Sequence, residues 1–350
     1  MSREPRTENR ELLTGELGGR LLEGVSRSFF LTLKALPEGL REPLSLAYLL
    51  ARAADTMADT ASVPGVVRTE SLHEFDRLLQ GETRDQGAEQ ALCATLKTEF
   101  MPLQEDEHEA RLLERLQEVF DAFRASPPRQ MTAMRGVLSP IVRGQLLDIE
   151  RFPVDGTVRA LRTPDELDEY TWLVAGCVGQ FWTQLCADEV PDAFAPGVTA
   201  EQMVDWGVRY GKGLQLINIL RDVGKDLRMG RCYFPESELA ALGVNPGEVL
   251  SAPDKLMQIA QPWRERCREH LDHGLRYLDA LQHKRLLFAT ALPLLIGIRT
   301  LALIDKASPA ELMQGVKISR TEVGKILFDA GIASLRRGGI RKLAEKLKEK

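Results

Sequence analysis

The chain has 350 residues, 44% of them hydrophobic, enough for one large helical domain or two small ones. Its formal net charge of -5 excludes nucleic-acid binding driven by overall positive charge, and no nucleic-acid partner is expected. Aromatic residues make up only 6%, while Leu, Ala, Glu and Arg are abundant, a balance that favours helices over a sheet.

The N-terminus, MSREPRTENRELL, is charged and has no apolar core, so it does not read as a signal peptide, and residues 1–18 are expected to be flexible. Leu31, Leu33 and Leu36, then Leu44, Leu46, Leu49 and Leu50, predict two early helices separated near Pro37 to Pro43. A turn follows at Val63-Pro64-Gly65. Helical periodicity then predicts elements over roughly 67–80, 86–100, 105–124, 131–150, 164–187 and 200–227. Breaks fall at Ser126-Pro127-Pro128, at 152–156 and from Val190 through Gly197. Gly230 to Pro235 reads as a loop, and two or three further helices complete the chain. There is no period-two strand pattern, internal repeat or Pro/Gly/Ser-rich linker, so the expectation is a single all-α domain over residues 1–350.

The five cysteines (Cys93, Cys177, Cys186, Cys232 and Cys267) make no CxxC spacing, which fits a reducing cytosol and buried thiols, and a cytoplasmic location is expected. His270 and His273 share a helical spacing but are not read as a metal pair. The longest apolar stretch, Leu286 to Ile298, is interrupted by Pro293 and reads as too short to span a bilayer. The tail over 336–350, RRGGIRKLAEKLKEK, is basic, with Ile340, Leu343 and Leu347 on one helical stripe. It reads either as a solvated terminal helix or as a peripheral contact with an anionic membrane.

Two aspartate pairs carry the chemistry. Asp55 and Asp59 lie four residues apart, on one face of a helix, with Arg52 one turn earlier. One such pair alone is most simply a solvated polar face. Asp222 and Asp226 repeat the spacing, and Gln215 and Asn218 extend them into a polar stripe along an otherwise apolar helix. A polar stripe on a buried helix is costly unless its groups are satisfied. Mg²⁺ suits the role, because it prefers oxygen ligands and bridges carboxylates to substrate phosphates. With Arg52 and Arg221 beside the acids, the pattern is that of a diphosphate site, in which metal and cations would stabilise a leaving diphosphate. Gly207, Gly211 and Gly213 allow close approach by another helix or by a ligand.

The residues from Val25 to Thr60, VSRSFFLTLKALPEGLREPLSLAYLLARAADTMADT, resemble the SRSF segment and first aspartate-rich helix of the squalene/phytoene synthase family. Those from Gly213 to Leu239, GLQLINILRDVGKDLRMGRCYFPESEL, resemble its second aspartate-rich helix and adjoining flap. Leu173 to Gly179 resembles its VAGxVG segment, and Gly144 to Asp148, more loosely, its GMxMD segment. The resemblance covers about residues 20–320 and implies an isoprenoid-synthase helical bundle around a central cavity. It implies that Asp55, Asp59, Asp222 and Asp226 hold Mg²⁺ and diphosphate, and that Ser26, Arg27, Arg52 and Arg221 bind diphosphate oxygens. Tyr48, Gln215 and Asn218 would line the reaction centre.

The implied reaction joins two farnesyl diphosphates head to head through a cyclopropyl diphosphate, presqualene diphosphate. The last cation is then quenched by hydride or loses a proton. Phe288 to Leu301 resembles the squalene synthase helix with its FxxxxxP pattern, and Gly315 to Arg320 its NADPH-associated segment. Lys317 and Arg320 would contact cofactor phosphates; the plain alternative is an exposed basic helix start. Leu173 stands where eukaryotic-type squalene synthases carry a tyrosine, which keeps phytoene or dehydrosqualene formation as the alternative. A terpene cyclase acting on one diphosphate, and a non-catalytic binding or assembly member of the fold, are the other readings.

Overall fold

The computed structural model describes residues 13, 17–26 and 28–349. Arg27 and most of the stretch 1–18 lie outside the described residues.

Helices α1 (Leu22–Ser26) and α2 (Ser28–Ala35) lead into α3 (Glu38–Asp59), which carries the first aspartate pair at its C-terminal end. The expected separation of the two early helices falls at Leu36 and Pro37, the N-terminal edge of the expected range. Pro43 is buried inside α3, close enough to its start that the missing N–H removes a single bond, to the Gly39 carbonyl. Helices α4 (Gly65–Gln80), α5 (Gln86–Thr95), α6 (Glu107–Glu114) and α7 (Leu116–Ala125) follow. The last two divide the helix expected over 105–124, because Arg115 leaves helical geometry at φ -101, ψ 12.

Next comes α8 (Pro128–Arg151), packed along α3, then strand β1 (Arg159–Leu161) and α9 (Pro164–Thr171). A π-helical turn, Trp172–Gly176, joins α9 to α10 (Cys177–Glu189). The longest helix, α11 (Ala200–Arg228), opens on a capping box in which Thr199 and Gln202 satisfy each other's backbone N–H groups. It runs into strand β2 (Arg231–Pro235) and α12 (Glu236–Ala241). Helices α13 (Pro253–Ala280), α14 (Lys284–Lys306), α15 (Pro309–Gln314), α16 (Arg320–Ala333) and α17 (Gly339–Glu349) complete the described chain, more than the two or three helices expected.

The loop expected at 230–235 is in fact β2, which pairs in parallel with β1 through Arg159↔Arg231 and Ala160↔Cys232. All-α is otherwise the architecture: α11 is central, packed on α10, α13, α14 and α15, with α3 and α8 closing the far side. Contact around α11 is made backbone to backbone. A Cβ on Gly211 would sit 2.2 Å from the Ala175 carbonyl oxygen, and one on Gly207 would sit 2.8 Å from that of Gly179. Of the two uses open to these glycines, close helix packing is thus realised.

Helix α14 extends the apolar stretch to 23 residues with a mean hydropathy of 2.0, long and apolar enough to cross a membrane by composition. Yet 72% of its apolar window is buried inside the fold, against α2, α11, α13, α16 and α17. The apolar stripe of the tail is covered too. Ile340, Ala344 and Leu347 are buried, and Arg341 and Lys348 pair with Asp279 and Asp272 of α13.

Candidate active site

Between α3, α8, α10, α11 and α14 lies a cavity of about 610 Å³. The carboxylates of Asp55, Asp59, Asp148, Asp222 and Asp226 all line it, on three different helices. The remaining wall is largely apolar, including Phe29, Ile141, Val178, Phe181, Trp182 and Pro293. Helical spacing explains the acidic grouping. Asp55 and Asp59, like Asp222 and Asp226, are stacked one turn apart, so each pair presents two carboxylates to the same side. Gln215 and Asn218 continue the α11 stripe into the cavity, where Asn218 Nδ2 donates to Gln215 Oε1 at 3.2 Å.

On the α3 side, Gln145 donates to Asp55 Oδ1, and the Arg52 guanidinium stands 4.0 Å from Asp55 Oδ2. Arg52 is held from behind: it donates to the Tyr48 hydroxyl at 3.1 Å, and Tyr48 in turn donates to the Val25 carbonyl at 3.0 Å. Glu109 of α6 adds a carboxylate 4.0 Å from Arg52. Burial would lower Arg52, but Tyr48, Asp55 and Glu109 outweigh it and hold the guanidinium above its ordinary range. On the α11 side, Arg221 makes a two-pronged contact with Asp222.

Between the pairs, Arg231 of β2 reaches Asp59 Oδ1 and Asp148 Oδ2, each at 3.4 Å. Tyr233, two residues along the strand, donates to Asp148 Oδ2 at 2.7 Å and accepts from the Tyr170 hydroxyl at 3.3 Å. The period-two geometry of the strand brings Arg231 and Tyr233 to the same carboxylate. The strand pairing fixes that position.

The electrostatics are those of an acidic cluster short of positive charge. Burial pushes Asp55 up to about 7; Arg52 opposes this, and Asp59, Glu109 and Asp148 add to it. Burial and then Asp222 push Asp226 up to about 7, against Arg231. Asp148 rises to about 6 through burial, against Arg231 and Tyr233. Asp55 is still 35% exposed by side chain, since it opens onto the cavity, so a cation there would meet it directly.

These donors fit Mg²⁺. All are hard oxygens, and Asp148 Oδ1 is buried with no hydrogen-bond partner. Among the described residues no three acidic, His or Cys side chains come close enough to enclose an ion by themselves. Mg²⁺ typically takes one or two carboxylates and completes its shell with water and substrate phosphate, so separated pairs suit it.

Not every residue singled out from sequence reaches the cavity. Ser26 is buried and donates to the Leu22 carbonyl of its own helix. Arg52 and Arg221 stand behind the carboxylates and do not line the wall, and Arg27 lies outside the described residues. Lys317 and Arg320 are exposed and away from it. The end of α15 just before them packs on α11, where a Cβ on Gly224 would strike the Met313 carbonyl oxygen at 2.0 Å. Sequence reasoning missed Gln145, Asp148, Arg231 and Tyr233 as site residues. The first two, three apart in GQLLD, are themselves a helical polar pair and could have been found.

The model of the squalene/phytoene synthase family matches residues 22–322. The chain belongs to this family. Its members are prenyltransferase-type enzymes, and its helical fold is the isoprenoid-synthase fold. A squalene synthase of Eremothecium gossypii is 27% identical over 291 residues, covering 81% of this chain and 61% of that protein. A bifunctional lycopene cyclase/phytoene synthase of Phaeosphaeria nodorum is 27% identical over 238 residues, covering 67% of this chain and 36% of that protein. The chain thus spans less than two thirds of the length of either relative. The solved structure of TcSQS with the ligand BPH1237 superposes with a TM-score of 0.72 at 20% identity, covering 97% of this chain and 98% of that one. At that identity it supports the fold alone.

Proposed function

We propose that this family member condenses two farnesyl diphosphates head to head, through presqualene diphosphate, to a C30 hydrocarbon, with squalene as the product when NADPH supplies hydride. The observation that carries the reading is the gathering of five carboxylates at one end of an otherwise apolar cavity. When bound through Asp55, Asp59, Asp222 and Asp226, Mg²⁺ would neutralise the diphosphate and make it a better leaving group. Arg231 is placed to offset the negative charge of Asp59 and Asp148, and Arg52 that of Asp55. Gln145 orients Asp55, and Tyr233 orients Asp148. Phe181 and Trp182 add aromatic surface to the cavity wall, so that an allylic cation would meet aromatic groups rather than water.

A second ending, proton loss to dehydrosqualene or a phytoene-type product, is favoured by two observations. Leu173 is buried in the π-helical turn where a tyrosine would be expected for the reductive reaction, and Lys317 and Arg320 lie off the cavity. The test is to incubate the purified protein with farnesyl diphosphate and Mg²⁺, with and without NADPH, and to read the extract by mass spectrometry. Squalene formed only with NADPH supports the reductive reading. Dehydrosqualene regardless of NADPH replaces it with the second, and no condensed product at all overturns both for this substrate.

A further inference from the structure

Large apolar side chains exposed on this molecule are mostly scattered singly, as at Val66, Leu103, Val154 and Met229. One set is not. Phe328, Ile332 and Leu335 are 70%, 45% and 65% exposed, and they follow spacings of four and three along α16 and the turn after it, so they share one face. The opposite face of α16, with Ile326 and Ala330, is buried in the core. The outer stripe is therefore unneeded for packing, and a helix apolar on both sides calls for a second neighbour.

Charge indicates the kind of neighbour. Lys325 precedes the stripe by one turn, and Arg336 and Arg337 follow it directly; all three are exposed, and none takes part in the ion pairs found among the described residues. Between Lys325 and Arg337 the only acid in the sequence is Asp329, and Glu322 one turn earlier is engaged by Arg299. A chain of net charge -5 thus carries a local basic rim around its most exposed apolar stripe.

Position adds a third observation. Gly331 of α16 lies against Phe288 of α14, its would-be Cβ 3.9 Å from that ring. The next residues of α14, Ala289, Thr290 and Pro293, line the cavity, together with Phe29 and Thr32 of α2. Arg285 ties α14 to the end of α2 by bonding the Ala35 and Leu36 carbonyls. Leu31, between the two cavity-lining residues of α2, is 45% exposed. Helix α16 thus packs against α14, which supplies part of the cavity wall, and carries the stripe on its exposed face.

We propose that Phe328, Ile332 and Leu335, framed by Lys325, Arg336 and Arg337, form an interfacial docking surface for an anionic lipid bilayer. The apolar side chains enter the headgroup region, and the rim meets the anionic headgroups. The contact lies on α16 and not on α17, whose stripe is already covered. Its use rests on the proposed function, since an apolar product needs an apolar sink close to its cavity. The docking itself is measured without substrate, so the two readings fail separately.

The test is flotation of the full chain with vesicles of phosphatidylcholine alone, or with roughly a third phosphatidylglycerol. The expected result is binding to the anionic vesicles that weakens as salt screens the rim. Replacing Phe328→Ser together with Leu335→Ser lowers the partition on the order of tenfold. Arg336→Glu with Arg337→Glu removes the preference for anionic lipid, while Lys346→Gln on α17 changes little. The proposal is overturned if the unaltered chain stays with the lipid-free fraction, or if Lys346→Gln abolishes binding that the Phe328/Leu335 pair leaves intact. It is equally overturned if light scattering shows that the Phe328/Leu335 pair converts a dimer to a monomer, because a second copy then covers the stripe.

Discussion

Asp55 and Asp222 stand on different helices, yet each has an arginine at its back, Arg52 and Arg221. An asparagine in either place keeps size and polarity but deletes one negative charge from the cavity. Asp55→Asn or Asp222→Asn is expected to abolish turnover, with far-ultraviolet circular dichroism unchanged. Near-normal turnover in either variant defeats the assignment of the pairs to metal and diphosphate. A separate residue governs stability. His270 of α13 is buried against Gly213 with both ring nitrogens unpartnered, and burial, then Lys212, hold it down to about 4 against the pull of Asp168. Between an unfolded value near 6.5 and the folded value, only the unfolded chain takes the proton. His270 therefore makes the fold less stable as pH falls through that window, by about 3 kcal/mol in full, and has no effect above it. The buried aspartates act in the opposite direction, so the readout is a difference. The stability of His270→Leu relative to the unaltered chain, from urea midpoints, should rise by that amount between neutral pH and pH about 4. A constant difference would refute it.

At the scale of elements, what could be read from sequence was what is local. The helices expected over 131–150 and 200–227 are found as Pro128–Arg151 and Ala200–Arg228, because the apolar pattern and the start signals, Pro128 in the first turn of one and Thr199 capping the other, are local in sequence. The aspartate pairs were legible for the same reason. Strand β2 was not, since five residues carry little pattern and its partner β1 lies far away in sequence. Arg231 and Tyr233 went unnoticed with it: their meeting with Asp148 joins residues 83 and 85 positions apart. The glycines of α11 were ambiguous until their neighbours were known. Gly211→Ala would put a methyl 2.2 Å from the Ala175 carbonyl oxygen, in backbone that cannot rotate away. The expected cost is about 1–3 kcal/mol, read as a lower thermal midpoint, and an unchanged midpoint would show that the π-helical turn yields freely.

On the scale of the whole molecule, the buried apolar residues form one connected cluster reaching from Leu17 to Leu347. Its last member belongs to α17, where Leu347 is only 7% exposed and is not part of the cavity wall. Leu347→Ala is expected to cost about 2–3 kcal/mol in denaturant unfolding while leaving turnover at ambient temperature unaltered. Loss of turnover in the folded variant would mean that α17 is coupled to the site.

Helix α14 has a further consequence, for the chain as it is being made. Taken alone, it is 23 residues long and apolar enough to partition into a bilayer, and only its neighbours in the finished fold conceal that. Two of those neighbours, α16 and α17, follow it in the chain and therefore emerge from the ribosome after it. For the time that synthesis of α16 and α17 takes, the segment is an unshielded greasy rod beside a half-built bundle. Its escape from aggregation or mistaken insertion then depends on the α2, α11 and α13 surfaces, which are complete before it appears.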